Sequence, residues 1–98
     1  MPGKEQSLRL GITVSSGAGI GTLTSQWALA RWIRIIPVAE GNTYTVTMKD
    51  ADGDIIIQRT GQSGTLSENL KLSLGILKTI EIDSASQDGT YIAKFDMH

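Results

Sequence analysis

The sequence has no cysteine, a single histidine (His98), two prolines, and only two Trp, two Tyr and one Phe among 98 residues. Each scarcity excludes something. Without cysteine there is no disulfide framework and no thiolate metal site, which suits a reducing compartment. With one histidine, at the last position, serine–histidine and cysteine–histidine catalytic pairs have no base. No apolar run approaches the roughly 18 residues that a membrane span requires, and MPGKEQSLRL at the start carries no apolar leader core, so the chain is expected to be soluble and unprocessed. Charge of one sign is also lacking. The net charge of −1 provides no global field to attract nucleic acid or anionic lipid, and neither is expected as a partner.

What is present is alternation. In NTYTVTMKDADGDIIIQRT, residues Asn42 to Thr60, Tyr44, Val46 and Met48 alternate with Thr43, Thr45, Thr47 and Lys49. This period of two puts one apolar face on a core and a threonine-rich face in water. Asp50, Asp52 and Gly53 supply side-chain-to-backbone bonding and a residue that accepts positive φ, so the stretch reads as a β-hairpin. Leu8, Leu10, Ile12 and Val14 form another alternating run, followed by a Gly- and Ser-rich connection over Ser15 to Thr22. From Thr24 to Val38, helix and strand signals compete up to residue 31. Trp32, Ile33, Ile35 and Ile36, ending at Pro37, favour a strand from about Ala28 to Ile36. It carries apolar side chains on both faces, Trp32 and Ile36 on one and Leu29, Ile33 and Ile35 on the other. Such a strand is central and covered twice, or part of a subunit contact. TGQSGT, Thr60 to Thr65, reads as a loop. Strands are expected from about Asn69 to Leu74, over Ile76 to Ile82, and over Thr90 to Asp96 with Tyr91, Ala93 and Phe95 on one side.

Turn signals roughly every 8 to 12 residues make this an all-β chain, an antiparallel sandwich or small barrel of about seven strands. One β domain over residues 7–98 is expected behind a mobile tail of residues 1–6.

No stretch announces chemistry. Gly17-Ala18-Gly19-Ile20-Gly21 follows a strand, but a dinucleotide-binding G-x-G-x-x-G would need glycine where Thr22 stands, so a flexible connection is the reading. Asp50, Asp52 and Asp54 could gather oxygen ligands for Ca²⁺. In the EF-hand order, however, glycine follows the third acidic residue, whereas Gly53 precedes Asp54, and the twelfth position is Gly61. Turn chemistry accounts for all five residues. No catalytic, cofactor-binding or metal-binding residue is therefore expected, and the chain is read as a non-enzyme. The residue types that suit an interface are Trp27, Leu29, Arg31, Trp32 and Arg34, since Trp and Arg are enriched at contact hot spots.

YTVTMKDADGD resembles the strand, Asp-Gly turn and strand of bacterial and phage immunoglobulin-like (Ig-like) modules. Asp88-Gly89-Thr90-Tyr91 resembles, one residue short, the D-x-G-x-Y turn leading into a late strand. From Arg34 to Phe95, the segments RIIPVAEGNTYTVTMKDADGD, QRTGQSGTLSENLKLSLGILKTIEI and SASQDGTYIAKF resemble small all-β accessory proteins of tailed-bacteriophage particles, of the capsid decoration or cement type. That resemblance implies a virion structural protein without cofactor, assembled in the host cytoplasm. It would self-associate, as a trimer rather than a dimer, and clamp a major capsid or other virion protein. Alternatives are a neck or tail component, or an Ig-like carbohydrate-binding module using Trp27, Trp32 or Tyr44 as stacking platforms.

Overall fold

The computed structural model describes residues 6–23, 29–73 and 77–97. Among these residues eight strands are formed: β1 (Gln6–Val14), β2 (Gly19–Thr22), β3 (Leu29–Ile36), β4 (Thr43–Asp50), β5 (Ile55–Ser63), β6 (Leu66–Ser73), β7 (Leu77–Asp83) and β8 (Gly89–Met97). Among the described residues there is no helix, so none that could cross a membrane.

Alternation does what the sequence predicts. Ile12 and Val14 of β1, Ile33 and Ile35 of β3, Tyr44, Val46 and Met48 of β4, Ile80 and Ile82 of β7, and Tyr91, Ala93 and Phe95 of β8 are all buried in one core. Each burial removes apolar surface from water at roughly 25 cal/mol per Å², and successive residues point to opposite faces, so one sheet face becomes core and the other surface.

The strands sort into two four-stranded sheets, ordered β1-β8-β3-β6 (sheet I) and β2-β7-β4-β5 (sheet II). The pairings are antiparallel throughout. The first strand pairs with the last, and consecutive strands repeatedly fall in opposite sheets. This is the eight-stranded jelly roll, in which two Greek keys stack their sheets face to face. The expected all-β sandwich is present. Its connectivity departs from the immunoglobulin order, where the first strand is an edge strand beside the second rather than beside the last.

The additional strand is β2, which the sequence reading treats as a flexible loop. Its glycines serve close approach. A Cβ at Gly19 would overlap the Thr13 carbonyl, and one at Gly21 would stand 2.8 Å from both Ile12 Cγ1 and Leu10 Cδ2. Before β2, Ser16 and Gly17 both have positive φ, 56° and 83°, in a two-residue turn closed by paired backbone bonds between Ser15 and Ala18. That twist matches the flanking strands. The Asp88 carboxylate accepts hydrogen bonds from the Ser16 and Gly17 N–H groups, each at 2.9 Å, and ties the turn to the entry of β8.

Two further boundaries differ from the sequence reading. TGQSGT is mostly strand, because β5 continues to Ser63. Thr60 and Gly61 together oppose Thr45, and Gly61 at φ 61° makes the bulge that keeps the register. β6 starts at Leu66, three residues earlier than expected. The threonine face of β4 is also not wholly in water. Thr47 is 3% exposed, and its Oγ1 accepts a hydrogen bond of 2.9 Å from Gln58 Nε2 on β5.

The sandwich is latched at two places. Tyr44 Oη donates to the Gly64 carbonyl at 2.8 Å, where the chain crosses from β5 in sheet II to β6 in sheet I. Beside it, the core-facing rows Ile82–Val46–Arg59 and Phe95–Ile33–Glu68 end on the edge strands β5 and β6. Arg59 and Glu68 join there in a two-bond fork, Nε to Oε1 at 3.1 Å and Nη2 to Oε2 at 2.6 Å. The hydrogen bonds and then the charge of Glu68 hold the Arg59 guanidinium above its ordinary pKa. Tyr91 Oη donates to the Gln87 carbonyl four residues upstream at 2.8 Å, the bond a tyrosine corner makes, so that part of the Ig-like likeness is realised on another topology.

Candidate functional site

The outer face of sheet I collects the charged and aromatic residues that alternate with the core. Register places Arg9 of β1, Lys94 of β8, Arg34 of β3 and Ser67 of β6 in one row, and Asp96 of β8 beside Trp32 of β3 in the next. Residues directly opposite on antiparallel strands share a face about 5 Å apart. Arg34 Nη2 donates to Asp96 Oδ2 at 2.7 Å. Trp32 is 38% exposed, and its Nε1 donates to Ser67 Oγ at 2.6 Å, so the indole is tied diagonally to the neighbouring strand. Ile36 and Ile92 continue the same face as a half-buried apolar pair.

Of the five expected interface residues, Trp32 and Arg34 come together here. Leu29 and Arg31 lie in β3, where the register shifts between Ala30 and Trp32: against β8 Arg31 is the extra residue, whereas against β6 the extra residue lies on β6. Trp27 lies outside the described residues, as do Leu74, Ile76 and His98. β3 is central, between β8 and β6, and is two-faced as expected, with Ile33 and Ile35 in the core and Trp32 at the surface. Sequence reasoning missed Arg9, Lys94, Asp96 and Ser67. Each is a polar residue at an ordinary outward position, and only strand register brings them to one place.

Tyr44 cannot serve as a stacking platform: it is 1% exposed and forms a T-shaped pair with Tyr91 at 5.6 Å between centroids. Desolvation by burial pushes its hydroxyl pKa up to about 12, with Tyr91 adding to the rise and the Leu66 backbone opposing it.

The hairpin tip forms as turn chemistry. Asp50 Oδ1 accepts hydrogen bonds from the Asp52 and Asp54 N–H groups, both at 3.0 Å, and Gly53 sits at φ 86°. Carboxylate oxygens of Asp50, Asp52 and Asp54 lie within 4.8 Å of one another, but one oxygen of Asp50 is already engaged by backbone. Among the described residues, no buried side-chain polar atom lacks a hydrogen-bond partner, so no buried group points to an unfilled ligand site.

No protein-family model matches the chain, and no curated protein matches it. Among solved structures, it is similar to the VP2 subviral particle of infectious bursal disease virus, at 13% identity and a TM-score of 0.39 over 97% of this chain and 32% of that one. It is also similar to the virus-like particle of the extra small virus of the giant freshwater prawn Macrobrachium rosenbergii, at 15% identity and a TM-score of 0.42 over 96% of this chain and 77% of that one. The chain thus spans about a third of the length of the first of these. The jelly-roll assignment stands on the hydrogen-bonded strand order alone.

Proposed function

We propose that the chain is a non-enzymatic structural subunit of a virion. In this reading it is a jelly roll that self-associates and stabilises a protein shell, in the manner of a capsid decoration or cement protein. The observation that carries the reading is the strand order β1-β8-β3-β6 against β2-β7-β4-β5, the architecture used by viral capsid domains. The warrant is architectural, since a fold hosts many functions. A cement protein acts by binding the assembled state of its shell and shifting the assembly equilibrium toward it. The contact surface in this reading is the outer face of β3, with Trp32 and Arg34, and a trimer is the favoured copy number.

The test is size-exclusion chromatography with light scattering, followed by electron microscopy of any particle that carries the chain. Oligomers or particle-bound density are the expected result. A monodisperse monomer with no affinity for a capsid or tail protein would sink the proposal.

Jelly rolls also include lectin domains, and the exposed, tethered indole of Trp32 on the outer sheet face favours carbohydrate binding as a second reading. Glycan-array binding that disappears in Trp32→Ala while the fold survives would select it.

A further inference from the structure

The row Arg9–Lys94–Arg34 stands out because like charges directly opposite on neighbouring strands oppose pairing. Asp96 offsets one of them. Among the described residues, Arg9 and Lys94 form no ion pair. The whole chain carries a net charge of −1, so this row is a local segregation of positive charge that the total conceals. It crosses β1, β8 and β3, which lie about 4.8 Å apart, so the three cations span roughly 10 Å. One row away stands Trp32, its indole held by Ser67.

We infer that this face binds a single-stranded nucleic acid. The Arg9–Lys94–Arg34 row takes the phosphates, and Trp32 takes a base. A charged track beside an aromatic ring is what sequence-tolerant single-strand recognition uses, because every base has a π-face. An acidic polypeptide would satisfy the cations and leave the indole without a partner, which is why the nucleic acid is chosen. The inference does not require the shell reading, because the row lies within one copy of the chain, and a nucleic acid and a second protein surface compete for Trp32 and Arg34, so that one copy holds one or the other.

The experiment is fluorescence anisotropy of labelled oligothymidylate and oligouridylate titrated with the full chain at increasing NaCl. With Arg34 offset by Asp96, the two remaining cations predict a slope of about −1.4 in log K against log salt, at about −0.7 per contact. Arg9→Gln and Lys94→Gln should each flatten the slope by about 0.7. Trp32→Ala should weaken binding roughly 5- to 100-fold without changing the slope, and Trp32→Phe, which keeps a ring, should retain most of the affinity. Lys78→Gln, an exposed lysine on sheet II, should alter neither, and circular dichroism melting verifies the fold of each variant. Absence of binding by the unaltered chain at low salt overturns the inference. So does a slope unmoved by Lys94→Gln. Displacement of the oligonucleotide by polyglutamate equally well from Trp32→Ala and the unaltered chain also overturns it, because the face would then belong to an acidic polypeptide.

Discussion

Tyr44 joins three parts of the molecule through one side chain: its ring fills the core and forms a T-shaped pair with Tyr91, and its hydroxyl holds Gly64 at the crossover between sheets. Tyr44→Phe keeps the ring and removes the hydroxyl, leaving a carbonyl short of its donor. Denaturant melts should show a loss of about 1 to 2 kcal/mol. The same hydroxyl predicts alkaline sensitivity. Its folded pKa of about 12 lies above the unfolded value near 10, so its stabilisation is complete below pH 10 and is lost as pH rises toward 12. The slope attributable to it is at most about 1.4 kcal/mol per pH unit, and melts across that range should show this component absent in Tyr44→Phe. Gly19 and Gly21 give a paired prediction. Alanine at Gly21 meets side-chain atoms of Ile12 and Leu10 rather than backbone, and their displacement costs about 1 to 3 kcal/mol. Alanine at Gly19 meets backbone, and thermal melts should show the larger loss there, or no folded protein.

At the scale of elements, edge strands β5 and β6 are joined by the Arg59–Glu68 fork, which closes the open side of the sandwich. Both side chains remain about one-third exposed, so water and salt screen the pair. A double-mutant cycle of Arg59→Met and Glu68→Gln should give a coupling of about 1 kcal/mol, smaller in 1 M NaCl, and null coupling at low salt would remove the latch from the account. The strands themselves were largely legible in the sequence. The Tyr44-Val46-Met48, Ile80-Ile82 and Tyr91-Ala93-Phe95 alternations are local signals and appear in the core as read. β2 and the end of β5 were hidden because Gly19, Gly21 and Gly61 carry the composition of loops while serving backbone approach and a bulge. The need for glycine there comes from Thr13, Ile12 and the register with Thr45, none of which a local window contains.

Across the whole molecule, the jelly roll makes β8 indispensable, since it lies between β1 and β3 and joins residues far apart in the chain. Removing residues 89–98 should leave β1 without a partner and abolish the β-sheet circular dichroism signal. Refolding of the intact chain, followed by tryptophan fluorescence, should take milliseconds to seconds, because such pairings close long loops before they are rewarded. The candidate site was only half legible for the same reason. Trp32 and Arg34 belong to one strand and could be singled out, whereas Arg9 and Lys94 join them only after strands one, eight and three align. That alignment has a further outcome. Gln6 stands opposite Met97 in the β1–β8 ladder, so the two extremities of the described fold are neighbours. Covalent order is therefore incidental to the architecture. A chain spliced there by a short linker and reopened at the exposed Asp52–Gly53 tip would be a circular permutant with every ladder conserved, altered chiefly in the sequence of events by which it assembles.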